Sequence, residues 1–270
     1  MGEQSNHGFR VLHLIIFSYS ICKRGQAVEA QHLHSWQMTP DQAKRVQREL
    51  AVMVSKRNEV EAVGLVAGVD ISAPDASGLA RAAVVVLSYP ELMLVEKKVI
   101  TKEVTFPYVP GLLSFRESPL IIAACEELKA TPDLILVDGQ GIAHPRRLGL
   151  ASHLGLLWDR PTIGCAKSRL CGEHSMVPPE PGSYAEITDN HEVIGAALRT
   201  KAGVAPLYIS IGHKVDLETA ISWVLRCCRG QRLPEPTRQA HFAASGHPEA
   251  KKISRYCRPD EAVHLIKESI

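Results

Sequence analysis

Two acids in this chain close runs of apolar residues. Asp70 ends V-A-G-V-D at 66–70, and Asp138 ends L-I-L-V-D at 134–138. A carboxylate at the end of a buried strand is costly unless a partner offsets its charge. A third acid, Glu117, stands just ahead of Pro119 and the helix that this proline is expected to open. If the two strands lie side by side, the aspartates converge and Glu117 reaches them from the helix start. Three hard oxygen ligands with room for water suit Mg²⁺ or Mn²⁺. A pair of such ions could clamp the attacking and leaving oxygens of a phosphodiester. Each acid also has a plainer reading: Asp70 as a strand-end turn residue, Glu117 as a first-turn helix acid favoured by the dipole, Asp138 as half of an ordinary Asp-Gly turn. Together the plainer readings weaken, because Asp70 interrupts one apolar strand and Asp138 closes another.

After Asp138 the chain turns on Gly139 and Gly141, then presents His144, Arg146 and Arg147. Glycines let backbone groups approach a ligand closely, and the imidazole and guanidinium groups beside them suit a phosphate. Packing alone gives no reason for that order of residues.

The elements that must position these groups follow from periodicity. Thr39, Pro40 and Gln42 form a capping-box signature, and apolar residues at 43, 46, 50, 53 and 54 continue at helical spacing to about residue 60. Lys44, Arg45, Arg48, Lys56 and Arg57 read as the solvated face of that helix. Strand-like runs follow at 65–71, 81–88 and 92–105, with short connections that imply an antiparallel meander. A helix is expected over 120–129, a strand over 134–138, a helix over 148–157 and a strand over 162–165. Further strands are expected at 193–199 and 207–211, and Asp216 caps a helix over 217–229. Strands alternating with helices after a meander predict an α/β fold, a mixed sheet with helices on both faces. From residue 231 onward, with Pro234 and Pro236, the chain reads as extended and aperiodic.

Composition sets the outer bounds. With 270 residues, 45% hydrophobic and 22% charged, the chain can bury a sizeable core. A net charge of +2 argues neither for nor against nucleic acid, so any basic surface must be local. Seven cysteines without a C-x-x-C pair disfavour a disulfide framework or a zinc site and fit reduced thiols in a cytoplasmic protein. The apolar run at 11–22 is too short for a bilayer span of about 20 residues. Arg10 before it and Ala27 and Ala30 after it leave a signal peptide as an alternative. The preferred reading of 1–38 is a disordered leader or a misassigned start, with the native N-terminus between Lys23 and Met38. A domain over 39–238 and a solvated tail over 239–270 complete the expected organisation.

Five motifs, in order, resemble the endonuclease V family: V-A-G-V-D at 66–70, P-Y-V-P-G-L-L-S-F-R-E at 107–117, P-D-L-I-L-V-D-G-Q-G-I-A-H-P-R-R at 132–147, P-T-I-G-C-A-K-S-R-L at 161–170, and G-H at 212–213. The resemblance runs from about Trp36 to about Arg238. It implies a ribonuclease-H-like fold and cleavage of a DNA strand at the second phosphodiester 3′ to deoxyinosine, leaving 3′-hydroxyl and 5′-phosphate ends. Matched position by position, it implies that Asp70, Glu117 and Asp138 bind Mg²⁺, with Mn²⁺ as a substitute. His213 then orients or activates the attacking water or contacts the phosphate, and Lys167 stabilises charge on the scissile phosphate. Pro107, Tyr108 and Pro110 resemble the family's strand-separating wedge, where prolines stiffen the loop and a ring stacks in the gap left by a displaced base. Gly111, Leu113, Gly139 and Gly141 would line a pocket for flipped hypoxanthine, with His144 and Arg146 supporting it or contacting phosphates.

The sequence departs from the family at Gln140, where other members carry His or Asn, and at Ile211, where Pro or Thr is often seen. Neither removes a ligand. The implied partner is DNA containing deoxyinosine, met by a monomer without a membrane. Two other readings stay open. One is a ribonuclease acting on inosine in single-stranded RNA. The other is a non-catalytic inosine-binding protein on the same fold, disfavoured because all three acids and His213 are present.

Overall fold

The protein is described by a computed structural model over residues 28–246. The apolar run at 11–22 and the basic residues at 251–258 lie outside the described residues. The chain runs through helix α1 (Pro40–Ala51), strands β1 (Leu65–Ile71), β2 (Leu79–Ser88) and β3 (Leu94–Glu103), helix α2 (Leu113–Glu126), strand β4 (Leu134–Val137), helix α3 (Leu150–Trp158) and strand β5 (Thr162–Ala166). Strands β6 (Tyr184–Asp189), β7 (Glu192–Leu198) and β8 (Leu207–His213) follow, then helices α4 (Leu217–Arg226) and α5 (Glu235–Ser245). The eight strands form one sheet in the order β3-β2-β1-β4-β5-β8-β7-β6. β1, β4 and β5 are parallel, and every other neighbouring pair is antiparallel.

Strand side chains alternate between faces. Val66, Leu134, Leu136 and Ile163 pack with Trp223 of α4 and Ala240 of α5. Ala67, Val69, Ile135 and Val137 pack with Leu120 of α2 and Leu154 of α3. The result is the expected α/β fold, a mixed sheet with helices on both faces. On β1 and β4 the even-numbered residues face α4 and α5. Asp70 and Asp138 share that parity.

The capping box of α1 forms as its sequence predicts: Gln42 N donates to Thr39 Oγ1 at 3.3 Å, and Thr39 N donates to Gln42 Oε1 at 2.7 Å. The helix stops at Ala51, well short of residue 60. Its end tightens into i→i+3 bonds from Met53 N to Leu50 O and from Val54 N to Ala51 O, and Ser55 O then pairs with Lys214 N beyond β8. Helix α2 starts at Leu113, ahead of Pro119, which lies inside it. The proline only removes the bond that would end on Phe115 O, so Glu117 sits in the second turn and not before the helix. Strand β6 was not expected, although Y-A-E-I-T-D alternates exposed and buried residues as an edge strand should.

The largest difference is α5. In place of an extended segment, Glu235–Ser245 is helical, with a proline in its first turn and Gly246 closing it at φ 71°. A proline at a helix start and a glycine just past its end are ordinary helix signals. Gly68 explains how closely α5 approaches β1. A Cβ at this position would collide with the backbone of Pro236 and Thr237, so the start of α5 lies against the bare backbone of the strand.

Residues 28–38, within the expected leader, lie against the body. Val28 is buried, and Gln31 N donates to Leu157 O at 2.7 Å. The rings of His34, Trp36, Phe115 and His153 cluster together. His34 Nε2 is 2.7 Å from His153 Nε2. His34 Nδ1–H is used on Ser35 O at 2.8 Å, so its Nε2 is the acceptor and His153 the donor. Burial and the charge of His34 pull the His153 pKa down to about 3 from 6.5. Below 6.5 the unfolded chain takes up a proton that folded His153 refuses, so stability is lost as pH falls from about 6.5 toward 3. We expect the gap in unfolding free energy between wild type and His153→Phe to change by up to about 1.4 kcal/mol per pH unit in that window, in favour of the variant as pH falls. Urea unfolding at several pH values checks this, and parallel profiles for the two proteins would refute it.

Among the described residues, no helix is long and apolar enough to cross a membrane. Cys125, Cys165, Cys171, Cys227 and Cys228 carry no disulfide.

Candidate active site

The parallel pairing of β1 with β4 matches Val69 to Val137. The next residue on each strand is an aspartate, and Asp138 N donates to Val69 O at 3.0 Å. Asp70 and Asp138 are therefore side by side at the carboxyl ends of adjacent parallel strands, where α/β sheets place their ligand sites. Both carboxylates are largely buried, at 9% side-chain exposure each. Glu117 joins them from the second turn of α2. Burial raises its pKa to about 8, and the charges of Asp70 and Asp138 push it the same way. Asp70 is also raised, by burial and then by Asp138, against the opposing pull of Lys167 and His241. Two carboxyl groups held above their usual range beside a third acid form a site short of positive charge.

Two cationic or basic groups reach this cluster. Lys167 leaves the end of β5 and brings Nζ to 2.5 Å from Asp138 Oδ2. The contact is close enough to pair but not aligned as a hydrogen bond, and Oδ2 is otherwise buried without one. His241 of α5 places Nδ1 2.7 Å from Asp70 Oδ2 and 3.2 Å from Lys167 Nζ. Nδ1 holds one proton in the neutral ring and cannot both donate to Asp70 and accept from Lys167. Donation to the carboxylate satisfies both partners, which leaves Lys167 to Asp138.

The donor set fits a divalent cation. Single ligand atoms of Asp70, Asp138 and His241 all lie within 4.8 Å of one another. Glu117 stands close enough to feel the charge of both aspartates, although its oxygens are not among the atoms within 4.8 Å, and Asp138 Oδ2 is a buried acceptor lacking an aligned donor. Oxygen ligands with one imidazole suit a hard or borderline ion.

His241 was missed in the sequence because the segment carrying it reads as a tail. The histidine singled out there, His213, is not brought to the acids. It ends β8, antiparallel to β5, and pairs with Thr162 at the start of β5, whereas Lys167 follows the other end. There Ser55 N donates to His213 Nδ1 at 3.1 Å, and Nε2 is 3.5 Å from Asp159 Oδ1. Its pKa is lowered by burial, against the pull of Asp159.

The loop before α2 carries Pro107, Tyr108 and Pro110, all exposed; Tyr108 keeps 71% of its surface. Leu113 is also exposed. Gly111, at φ 77°, turns the chain into the helix. His144 and Arg146 bind this loop: His144 Nε2 is 3.0 Å and Arg146 Nη2 2.7 Å from Gly111 O. His144 is neutral, its pKa lowered to about 4 by burial and by Arg146. Gly139 lies against Leu150. Gly141 is buried, its N–H donated to Ser210 Oγ at 2.8 Å and its carbonyl accepting from Gly149 N at 2.9 Å. Arg147 is tied up elsewhere, paired with Asp189 at 2.9 Å and Glu192 at 2.6 Å. Gln140 Nε2 donates to Ser168 O at 2.8 Å and so links the loop after Asp138 to the residue after Lys167.

The Endonuclease V family model matches residues 48–242, a span that includes His241. An endonuclease V from Dehalococcoides mccartyi is 55% identical over 218 residues, which cover 81% of this chain and 98% of that protein. The crystal structure of an endonuclease V from Streptomyces avermitilis superposes with a TM-score of 0.75 at 39% identity, covering 84% of this chain and 100% of that one. A Ciona intestinalis endonuclease V, solved with a 23mer DNA containing an inosine followed by a ribo-adenosine, matches at 30% identity and a TM-score of 0.65, over 80% of this chain and all of that one.

Proposed function

Because the chain belongs to the endonuclease V family, we propose that it is a metal-dependent endonuclease that nicks DNA at the second phosphodiester 3′ to deoxyinosine and so starts repair of deaminated adenine. The observation that carries this reading is the convergence of Asp70, Glu117, Asp138 and His241 with Lys167 at the ends of the parallel strands. The relative from Ciona intestinalis crystallised on inosine-containing DNA supports the substrate class.

Asp70, Glu117 and Asp138 would hold Mg²⁺, with Mn²⁺ able to replace it. When bound, the cation supplies Lewis-acid stabilisation of the charge that develops on the phosphodiester. Lys167 stabilises the same charge on a non-bridging oxygen, and Asp138 holds its ammonium in place. His241, oriented by Asp70 through Nδ1, has Nε2 able to accept a proton from the attacking water. Water attacks phosphorus, the bond to the 3′ oxygen breaks, and the products carry a 3′-hydroxyl and a 5′-phosphate. Tyr108 at the loop tip is placed to enter the gap left by a displaced base, between the two prolines that stiffen it.

The test sets inosine-containing DNA against inosine-containing RNA, each with Mg²⁺ and with EDTA. The expected result is one nick at the second phosphodiester 3′ to deoxyinosine, dependent on Mg²⁺ and absent in EDTA. Cutting confined to RNA, or persisting in EDTA, would overturn this reading.

A further inference from the structure

Gln47 lies on α1 and is completely buried, on the same helix face as the core residues Ala43 and Leu50. An amide there needs partners, and every one of them belongs to the loops of the candidate site. Nε2 donates to Gly111 O and to Leu148 O, both at 2.9 Å, and Oε1 accepts from Arg146 Nε at 2.5 Å. Gly111 O also accepts from Arg146 Nη2 at 2.7 Å. His144 is the third donor to the same oxygen: its Nδ1 accepts from Arg146 N at 3.1 Å, so its Nε2 carries the hydrogen aimed at Gly111 O at 3.0 Å. One carbonyl thus takes three donors, one of them charged.

The peptide unit held in this way belongs to the turn beneath the exposed Pro107–Tyr108 tip. Its other end, Leu112 N, donates to Val109 O at 2.9 Å and closes the turn. Donors on a carbonyl strengthen the N–H of the same peptide as a donor, so a loaded Gly111 O tightens that closure. Gly111 is at φ 77°, and a Cβ there would sit 2.7 Å from Arg146 Nη2, so the residue and its clamp require each other. The helix that follows carries Glu117. Gln47 therefore ties α1, the loop after β4 and the loop before α2 to one atom.

We propose that Gln47 is a positioning residue for recognition of the modified base, holding the 107–111 loop through the Gly111 carbonyl. The proposal rests on the functional reading above. An apolar side chain here strands Leu148 O and Arg146 Nε, so a residue that only fills the core would lose stability on replacement but leave KM for the folded enzyme unchanged. Replacement of a positioning residue would raise KM.

The experiment measures kcat and KM for nicking an inosine duplex by wild type, Gln47→Leu and Gly111→Ala, together with the thermal midpoint of each and its shift on adding Mg²⁺. Gln47→Leu keeps the volume and removes the clamp from one side. Gly111→Ala breaks it from the other side without touching the buried amide. The expected result for both is a KM raised about tenfold or more, a smaller change in kcat, and an unchanged Mg²⁺-dependent shift. A wild-type KM in either folded variant would overturn the proposal, as would a fall in kcat alone. If Gln47→Leu does not fold, Gly111→Ala decides. Failure of wild type to nick inosine DNA would fall on the functional reading instead.

Discussion

Asp138→Ala is expected to lower the single-turnover rate of nicking by more than about 10³-fold while changing the affinity for an inosine duplex by no more than about threefold. The magnitude follows from what one carboxylate does at this site. It is one of three groups with ligand atoms within 4.8 Å of one another, and it holds the Lys167 ammonium. Its loss weakens the cation and frees the Lys167 ammonium from the carboxylate that holds it. Two sources of charge stabilisation fail together, and removing one preorganised donor alone commonly costs 10²–10³-fold. Binding survives because the groups proposed to meet the base, the 107–113 loop and its clamp, hang from other residues. The fold survives because a like-charged neighbour of Asp70 and Glu117 has been removed. Gel-based nicking under enzyme excess, with duplex affinity measured in parallel, checks both halves. Nicking at the wild-type rate would defeat the assignment of Asp138.

Glu117→Gln should do the reverse for stability: in EDTA near pH 7.5 it raises the thermal midpoint by several degrees, and it loses most of the further rise that Mg²⁺ gives wild type. The folded pKa of Glu117 is raised to about 8, from 4.5, by burial and then by Asp70 and Asp138. A raised carboxyl stabilises the fold fully only below its unfolded value. Without metal, stability is therefore lost as pH climbs from 4.5 toward 8. Glutamine keeps the shape without a charge to desolvate, which is worth on the order of 2–3 kcal/mol near pH 7.5, with each kcal/mol moving the midpoint by about 2–4 °C in a chain of this size. Binding of Mg²⁺ to the folded state alone adds stability in wild type, and the variant has one ligand fewer. Differential scanning in EDTA and in Mg²⁺ reads both. A metal-free variant less stable than wild type, or an equal response to Mg²⁺, would remove Glu117 from the cation site.

Much of this site is visible in the sequence because strand ends are. Asp70 and Asp138 terminate apolar runs, and short turns with alternating helices imply a sheet that brings such ends together. What sequence does not encode locally is direction. His213 also sits at a strand end, but β8 runs antiparallel to β5 and carries it to the end of the strands opposite the acids. Glu117 is legible as an acid and misplaced by half a helix, because a proline that can open a helix can also be tolerated within one. His241 was hidden by reading Pro234 and Pro236 as extended chain, although Gly246 marks a helix end eleven residues on from Glu235. Gln47 leaves a faint mark: it shares its helical face with Ala43 and Leu50, and a polar residue among apolar ones needs a partner. Its partners lie 64 and 99 residues away in the chain, and no local pattern predicts them.

The contact between Asp70 and His241 joins residues 171 positions apart. At about 5–20 residues per second of synthesis, the ribosome makes the second roughly 10–30 s after the first. A growing chain acquires its acids and its lysine before its imidazole. Until α5 emerges and seats itself over Gly68, the nuclease being built has no complete centre. The Asp70–His241 contact thus forms only once α5 has packed on β1.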